Sequence, residues 1–303
     1  MQAMLATVEG KQVRITHPDK MMWPKYGVTK AHYLEYLVKI APYLLPALKR
    51  RMLMTWCYPH GAEEDGFARR SRPSSAPDWL AGIRTGDSVR MVANDTATLV
   101  WMGNQSSLEF HVEANLVGTY YPTYLAMDLD PSLPEAFDDV AEIALQLREV
   151  LRGLGLSSIP KTSGKTGLHV FVPIVARYTY EETREVSKFI ARYMEERMPL
   201  RVTLERLVER RTTKVYFDYL QLWRGKTMAA AYSPRAGAAP TVSTPLSWTE
   251  IEEGVHPSDF TILSVPRRIE SVGDLFLSVV NPRDTEAHSL DEILSFLKHH
   301  RQV

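Results

Sequence analysis

The stretch TYLAMDLDPSLPEAF, residues 123–137, decides the fold. In an extended chain successive side chains face opposite ways, so Leu125, Met127 and Leu129 share one face and Asp128 and Asp130 the other. Such a strand packs its apolar side against helices and opens its acidic side on a cleft. Just downstream, Ser132 and Glu135 have the spacing of a capping box, with Pro134 in the first turn. Phe137, Val140, Ile143, Ala144, Leu147 and Leu151 then recur at helical period up to Gly153, which predicts a helix over 134–152.

Working outward, the chain predicts helices over 29–41, with Thr29 as N-cap, and over 180–198 and 289–300. Strands are expected over 89–93, 98–102, 108–112, 123–129, 168–174, 213–220 and 227–232. The order lacks strict βαβ alternation, which favours an α+β fold over a doubly wound sheet. PHGAEEDGFARRSRPSSAPD (59–78) and SPRAGAAPTVSTP (233–245) read as loops inside a domain. With 303 residues and 45% hydrophobic content, the chain can bury a large core, in one large domain or two lobes.

The single cysteine, Cys57, rules out an intrachain disulfide and a cysteine-based zinc cluster, and it reads as a small buried hydrophobe. No segment reads as a membrane span or a signal peptide. A reducing, cytoplasmic setting is therefore expected. Net charge is zero but unevenly spread: residues 1–100 carry 14 Lys/Arg against 9 Asp/Glu, residues 201–235 carry 8 against 3, and residues 101–150 carry 1 against 9. A basic surface beside an acidic pocket fits a protein that holds a polyanion and metal ions together. Segregation of this size also arises on proteins with no such partner.

Two carboxylates as close as Asp128 and Asp130 repel, and burial raises that cost. Hard divalent cations resolve the conflict, since carboxylate oxygens suit Mg²⁺ or Mn²⁺. The pair alone also reads as a strand end whose Asp130 caps the following turn. A third acid, Asp218, lies in KVYFDYLQLWRGKT (214–227), and an aspartate in such an aromatic run needs a partner. Three converging carboxylates would hold two metals, the arrangement used for phosphoryl and nucleotidyl transfer. PKTSGKTGLHVFVPI (160–174) adds a short Gly-rich turn, Ser163 to Gly167, suited to cradling an anion with Ser163 and Lys165 as donors. It is not a Walker loop, because the first Gly is missing and a strand follows. His169 opens that strand, either as a donor to a triphosphate or nucleotide hydroxyl or as a half-buried histidine with a backbone partner. Glu109 and His111 alternate in LEFHV as partners around a site or as structural residues.

MDLDP, TSGKTGLHVFVPI and FDYLQLWRGKTMAAAYSPRAGAAPTVSTPLSW resemble, in order and spacing, the signature blocks of the polymerase domain of bacterial DNA ligase D, a primase-polymerase of the archaeo-eukaryotic primase superfamily. THPDKMMWPKYGVTK (16–30) resembles that family's N-terminal element. The resemblance implies one primase-polymerase domain over 1–303. Within it, an N-terminal β/α lobe of DNA-end-binding elements spans 1–115. A catalytic lobe, an RRM-like sheet flanked by helices, spans 116–303. It implies that Asp128, Asp130 and Asp218 are the catalytic metal ligands and that Ser163, Lys165, His169, Lys226 and Arg235 bind nucleotide. It further implies that Lys20 and Lys30 hold a DNA 5′-phosphate and that Phe67 stacks on the template; the basic run that follows, Arg69, Arg70 and Arg72, reads as a set of template-phosphate contacts or as a solvated basic face. Family members often carry an aromatic or charged residue beside that aromatic, and a second Arg two places after the YSxR arginine. Ala68 and Gly237 stand there in this chain.

The implied activity is template-dependent addition of nucleotides, ribonucleotides by family preference, to a primer 3′-OH at double-strand breaks or short gaps bearing a 5′-phosphate. Two Mn²⁺ or Mg²⁺ ions would serve it. Nucleoside triphosphates, gapped DNA, a Ku-like end-binding protein and a DNA ligase are the expected partners, with a nucleoid-associated location. Two other readings account for part of the pattern: a metal-dependent glycosyltransferase using D-x-D, and a non-catalytic module that synapses DNA ends.

Overall fold

Backbone pairing in the computed structural model, which describes residues 4–133, 135–281 and 286–300, builds two main sheets. In chain order their strands are β1 (Leu53–Cys57), β2 (Phe67–Arg69), β3 (Ser107–Val112), β4 (Tyr124–Asp130), β5 (Ile159–Thr162), β6 (Leu168–Pro173), β7 (Val202–Thr203), β8 (Val215–Asp218) and β9 (Met228–Ala229). The long helices are α1 (Lys30–Leu48), α2 (Thr96–Asn104), α3 (Phe137–Gly153) and α4 (Tyr180–Arg197). The chain forms two compact units, one of residues 1–113, 227–244 and 258–274, the other of 114–226, 245–257 and 275–303. The chain first passes from one unit to the other after Glu113. The return at 227 follows from pairing, since β9 adds to the edge of β3.

The second unit carries a five-stranded sheet in the order β5-β6-β4-β8-β7. β4 lies at its centre, antiparallel to β6 and to β8. Leu125, Met127 and Leu129 share a face with Leu168, Val170, Val172 and Phe217, all fully buried. α3 and α4 pack on this sheet and bury Val140, Ile143 and Leu147, and Val186, Ile190 and Met194. α4 starts at a capping box: Thr179 Oγ1 accepts from the Glu182 N–H, and Glu182 accepts from the Thr179 N–H.

α3 begins later than its sequence predicts. Ala136 is its N-cap, with no side-chain capping bond, and the expected Ser132–Glu135 box does not form. The Ser132 hydroxyl instead donates to the Lys214 carbonyl, while Asp138 and Asp139 set negative charge in the first turn, where the helix dipole favours it. Pro134 lies outside the described residues.

In the first unit a four-stranded sheet runs β9-β3-β1-β2. α1 continues past its expected end at 41, through Pro42 and Pro46. Each proline removes a backbone donor, and burial of Leu44, Leu45 and Leu48 offsets the loss. The strand expected over 98–102 is part of α2. Asp95 caps it by accepting the Thr98 N–H at 2.8 Å, and residues 97–104 are all buried. A helix apolar all round shows no 3.6-residue period, so its TLVWM run imitates a buried strand. The 59–78 loop also holds a strand: β2 pairs with β1, Cys57 opposite Phe67. The strand expected over 227–232 shortens to β9.

Leu125, fully buried on β4, tests this core. Leu125→Ala is expected to lower stability by about 2–5 kcal/mol, read from the midpoint of urea unfolding.

Candidate active site

Strand register brings the acids together. Asp128 on β4 lies opposite Asp218 on β8, and Asp130 lies opposite Tyr216. Directly opposed residues share a face at about 4.5–5.5 Å between Cα atoms, and residues two apart on one strand share it too. The three carboxylates thus share one side of the sheet, the one turned away from Leu125, Met127 and Leu129. Asp128 is buried, and Asp130 and Asp218 are half-buried.

The row extends the other way across the sheet. Asp128 also lies opposite His169 on β6, and His169 lies opposite Lys161 on β5. His169 Nε2 is 3.3 Å from Asp128 Oδ1, and Lys161 Nζ is 3.0 Å from His169 Nδ1. An ammonium has only donors, so Lys161 donates to Nδ1 and His169 carries its proton on Nε2, facing Asp128. Lys161 is fully buried, with its Nζ 5.6 Å from the centre of the Phe171 ring. Sequence reasoning missed Lys161. Its signal was a lysine two residues before the Gly-rich turn, inside a segment with strand character.

Asp218 Oδ1 accepts the Leu220 N–H at 2.8 Å, turning the chain at the end of β8. Burial, the Asp218 charge and a hydrogen bond to Asp218 push the Tyr216 hydroxyl up to about 12. Arg184 of α4, also unforeseen, stacks 3.4 Å over Trp223. Lys226 is exposed, and its Nζ donates to the Leu220 carbonyl at 3.0 Å.

The Gly-rich turn is closed by Ser163. Its Oγ accepts the N–H groups of Lys165 and Gly167, both at 3.1 Å, and its own N–H donates to the Gly167 carbonyl at 2.9 Å. Gly164, at φ +75, takes the left-handed conformation the turn requires. A Cβ at Gly167 would lie 2.6 Å from the Leu129 carbonyl and 3.0 Å from Asp130 Oδ1. A bare Cα therefore lets the turn seat against the end of the aspartate strand, with Lys165 exposed beside it.

Among the described residues, no group of three or more His, Cys, Asp or Glu side chains is arranged to hold a metal ion. Asp218 and Asp128 instead face local donors, Leu220 and His169. The donor set itself, hard carboxylate oxygens on one face of adjacent strands, has the chemistry that suits Mg²⁺ or Mn²⁺.

In the first unit, Lys20, Lys30, Phe67 and Arg69 line a cavity of about 470 Å³ with Thr16, His17 and Asn104. Arg70 is exposed and outside that lining. Lys30 is 5% exposed, and its Nζ donates to the Thr16 carbonyl at 2.6 Å. Burial, then the neighbouring Lys20 charge, lowers its pKa to about 8. Lys20 donates to the Pro59 carbonyl. Asn104, missed in the sequence, braces the wall by accepting the Thr16 N–H at 2.9 Å and donating to the Arg14 carbonyl at 2.9 Å. Phe67 is 48% exposed, with the Arg69 guanidinium 5.4 Å from its ring centre. Arg72 binds the carbonyls of Ala76, Pro77 and Leu80, a structural role. Arg235 lies beside Glu109, 3.2 Å away.

Comparison with known proteins adds to this geometry. Residues 29–276 match the family described as LigD, primase-polymerase domain. The chain is 36% identical over 289 residues to the bifunctional non-homologous end joining protein LigD of Bacillus subtilis (strain 168), which covers 95% of this chain and 47% of that protein. It is 31% identical over 293 residues to the multifunctional LigD of Mycolicibacterium smegmatis, 94% of this chain and 38% of that protein. The chain thus spans less than half the length of these curated relatives. Among solved structures it resembles the polymerase domain from Mycobacterium tuberculosis ligase D in complex with DNA, with a TM-score of 0.82 and 28% identity over 88% of this chain and 98% of that one. The likeness extends over the α+β, primase-like core expected from sequence. No helix among the described residues is long and apolar enough to cross a membrane.

Gly167 offers a direct test of the seated turn. Gly167→Ala is expected to cost roughly 1–3 kcal/mol of stability, and thermal unfolding beside wild type measures it.

Proposed function

The chain belongs to the LigD primase-polymerase domain family, and we propose that it is a template-directed nucleotidyltransferase that extends a primer 3′-hydroxyl. Its substrates are DNA ends or short gaps bearing a 5′-phosphate, in non-homologous end joining or gap repair. One observation carries this reading: the register that sets Asp128 opposite Asp218, with Asp130 on the same face and the Gly-rich turn seated against it. The relatives named for non-homologous end joining and the DNA-bound structural neighbour support it.

In this reading Asp128, Asp130 and Asp218 hold two divalent cations, Mn²⁺ or Mg²⁺. When bound, these lower the pKa of the 3′-hydroxyl and supply Lewis acidity at the phosphates. Ser163, Lys165, Lys226 and Arg235 supply donors and positive charge to the incoming triphosphate. His169, held in one tautomer by Lys161, offers a fixed N–H at the aspartate row and a contact to the sugar hydroxyls of a ribonucleotide. Lys20 and Lys30 receive the 5′-phosphate as point charges. Phe67 stacks on a template base, an interaction worth about 1–3 kcal/mol, and Arg69 and Arg70 follow the template phosphates. A Ku-like end-binding protein and a DNA ligase are the partners proposed for the complete reaction.

Primer extension on gapped DNA with Mn²⁺ tests this. Asp218→Ala is expected to lower extension at least about a hundredfold while the gapped-DNA Kd stays unchanged; full extension by that variant would refute the metal assignment. A second test uses Lys30, which carries its proton below about pH 8 and sheds it above. The preference for a 5′-phosphate over a 5′-hydroxyl gap should therefore fall between pH 7 and pH 9. Lys30→Ala should have little preference left to lose across that range.

A further inference from the structure

We propose that Glu109 is a positioning residue for nucleotide binding: it fixes the guanidinium of Arg235 where the triphosphate is received. The inference rests on the nucleotidyltransferase reading, which makes Arg235 a triphosphate contact.

Glu109 sits mid-strand on β3 with its side chain 3% exposed. Its Oε2 is 2.9 Å from His111 Nε2, which donates to it, and 3.2 Å from Arg235 Nε. Its Oε1 accepts the Ala236 N–H at 2.9 Å. Glu109 thus meets this turn twice, as the ion-pair partner of the Arg235 side chain and as the acceptor of the next residue's backbone N–H. The same turn is pinned from its other side, where the Arg235 N–H donates to the Thr241 carbonyl at 2.8 Å and Pro234 bridges to Val242. The Arg235 side chain is 12% exposed, so this ion pair lies in a largely dry setting.

Burial raises the Glu109 pKa. The hydrogen bond from His111, the Arg235 charge and the Ala236 N–H outweigh it and lower its pKa to about 2. The carboxylate is charged at every working pH. A buried ion pair is weak support for stability, since well-packed apolar residues serve a core as well or better. What this pair supplies is a guanidinium with little rotational freedom, and a preordered donor loses less entropy on meeting an anion.

The experiment compares wild type, Glu109→Gln, Arg235→Ala and the double variant on gapped DNA with a templating thymine. It measures the ATP KM and kcat, the ATP Kd without turnover, the DNA Kd and thermal unfolding. Glu109→Gln, nearly isosteric, is expected to raise the ATP KM and Kd about tenfold with the DNA Kd unchanged. In the Arg235→Ala background it should add nothing. An unchanged ATP Kd in Glu109→Gln, or losses that simply multiply in the double variant, overturns the proposal. Should Glu109→Gln fail to fold, Glu109→Asp carries the same comparison, since it keeps the charge and withdraws it by one methylene. If wild type binds ATP but does not extend the primer, the polymerase reading fails and the ATP Kd still decides the role of Glu109. If wild type binds no ATP, both fall.

Discussion

Two aspartates on neighbouring strands, Asp128 and Asp218, are held opposite each other by a backbone ladder that neither can leave. Like charges in that arrangement repel, and partial burial strengthens the repulsion. The sheet sustains it because the opposite face, built from Leu125, Met127, Leu129, Val170 and Phe217, is fully buried. A register slip of one residue would relieve the acids only by exposing that whole apolar set. The hydrophobic side of β4 thereby imposes the electrostatic problem on its polar side.

The protein meets part of that problem from within. Lys161 and His169 continue the same row across β5 and β6, and the chain of contacts from Nζ through the imidazole ends on Asp128. A fully buried lysine is costly unless its charge is answered nearby, and the aspartate row answers it. Asp130 and Asp218 lie toward the other end of the row, where added positive charge is most strongly favoured. That gradient gives a physical reason for cations to be favoured there.

The first unit inverts the signs. Lys20 and Lys30 face one cavity, and their mutual repulsion, added to burial, lowers the Lys30 pKa. An anion of two charges restores what burial and crowding remove. Glu109 shows the complementary device: a carboxylate already saturated by His111, Arg235 and Ala236 has nothing to gain from a ligand and everything to do with where the arginine points.

The alternation in residues 123–130 was enough to predict a strand with its acids on one face, and the helical period of 137–151 a helix behind it, because both periods are properties of local backbone geometry. Local rules failed where burial was uniform: the TLVWM run lies in α2, and α1 runs through two prolines, since tertiary packing outweighs propensity at fully enclosed positions. The Ser132 cap was likewise lost to a partner, Lys214, that is distant in the chain. Local sequence was sufficient for the residue types that the chemistry needs and for the side of the strand on which Asp128 and Asp130 stand. Long-range folding alone brings Asp218, Lys161 and His169 into that row and sets Glu109 beside Arg235. Strand register and long-range pairing set those distances, and no spacing along a single segment encodes them.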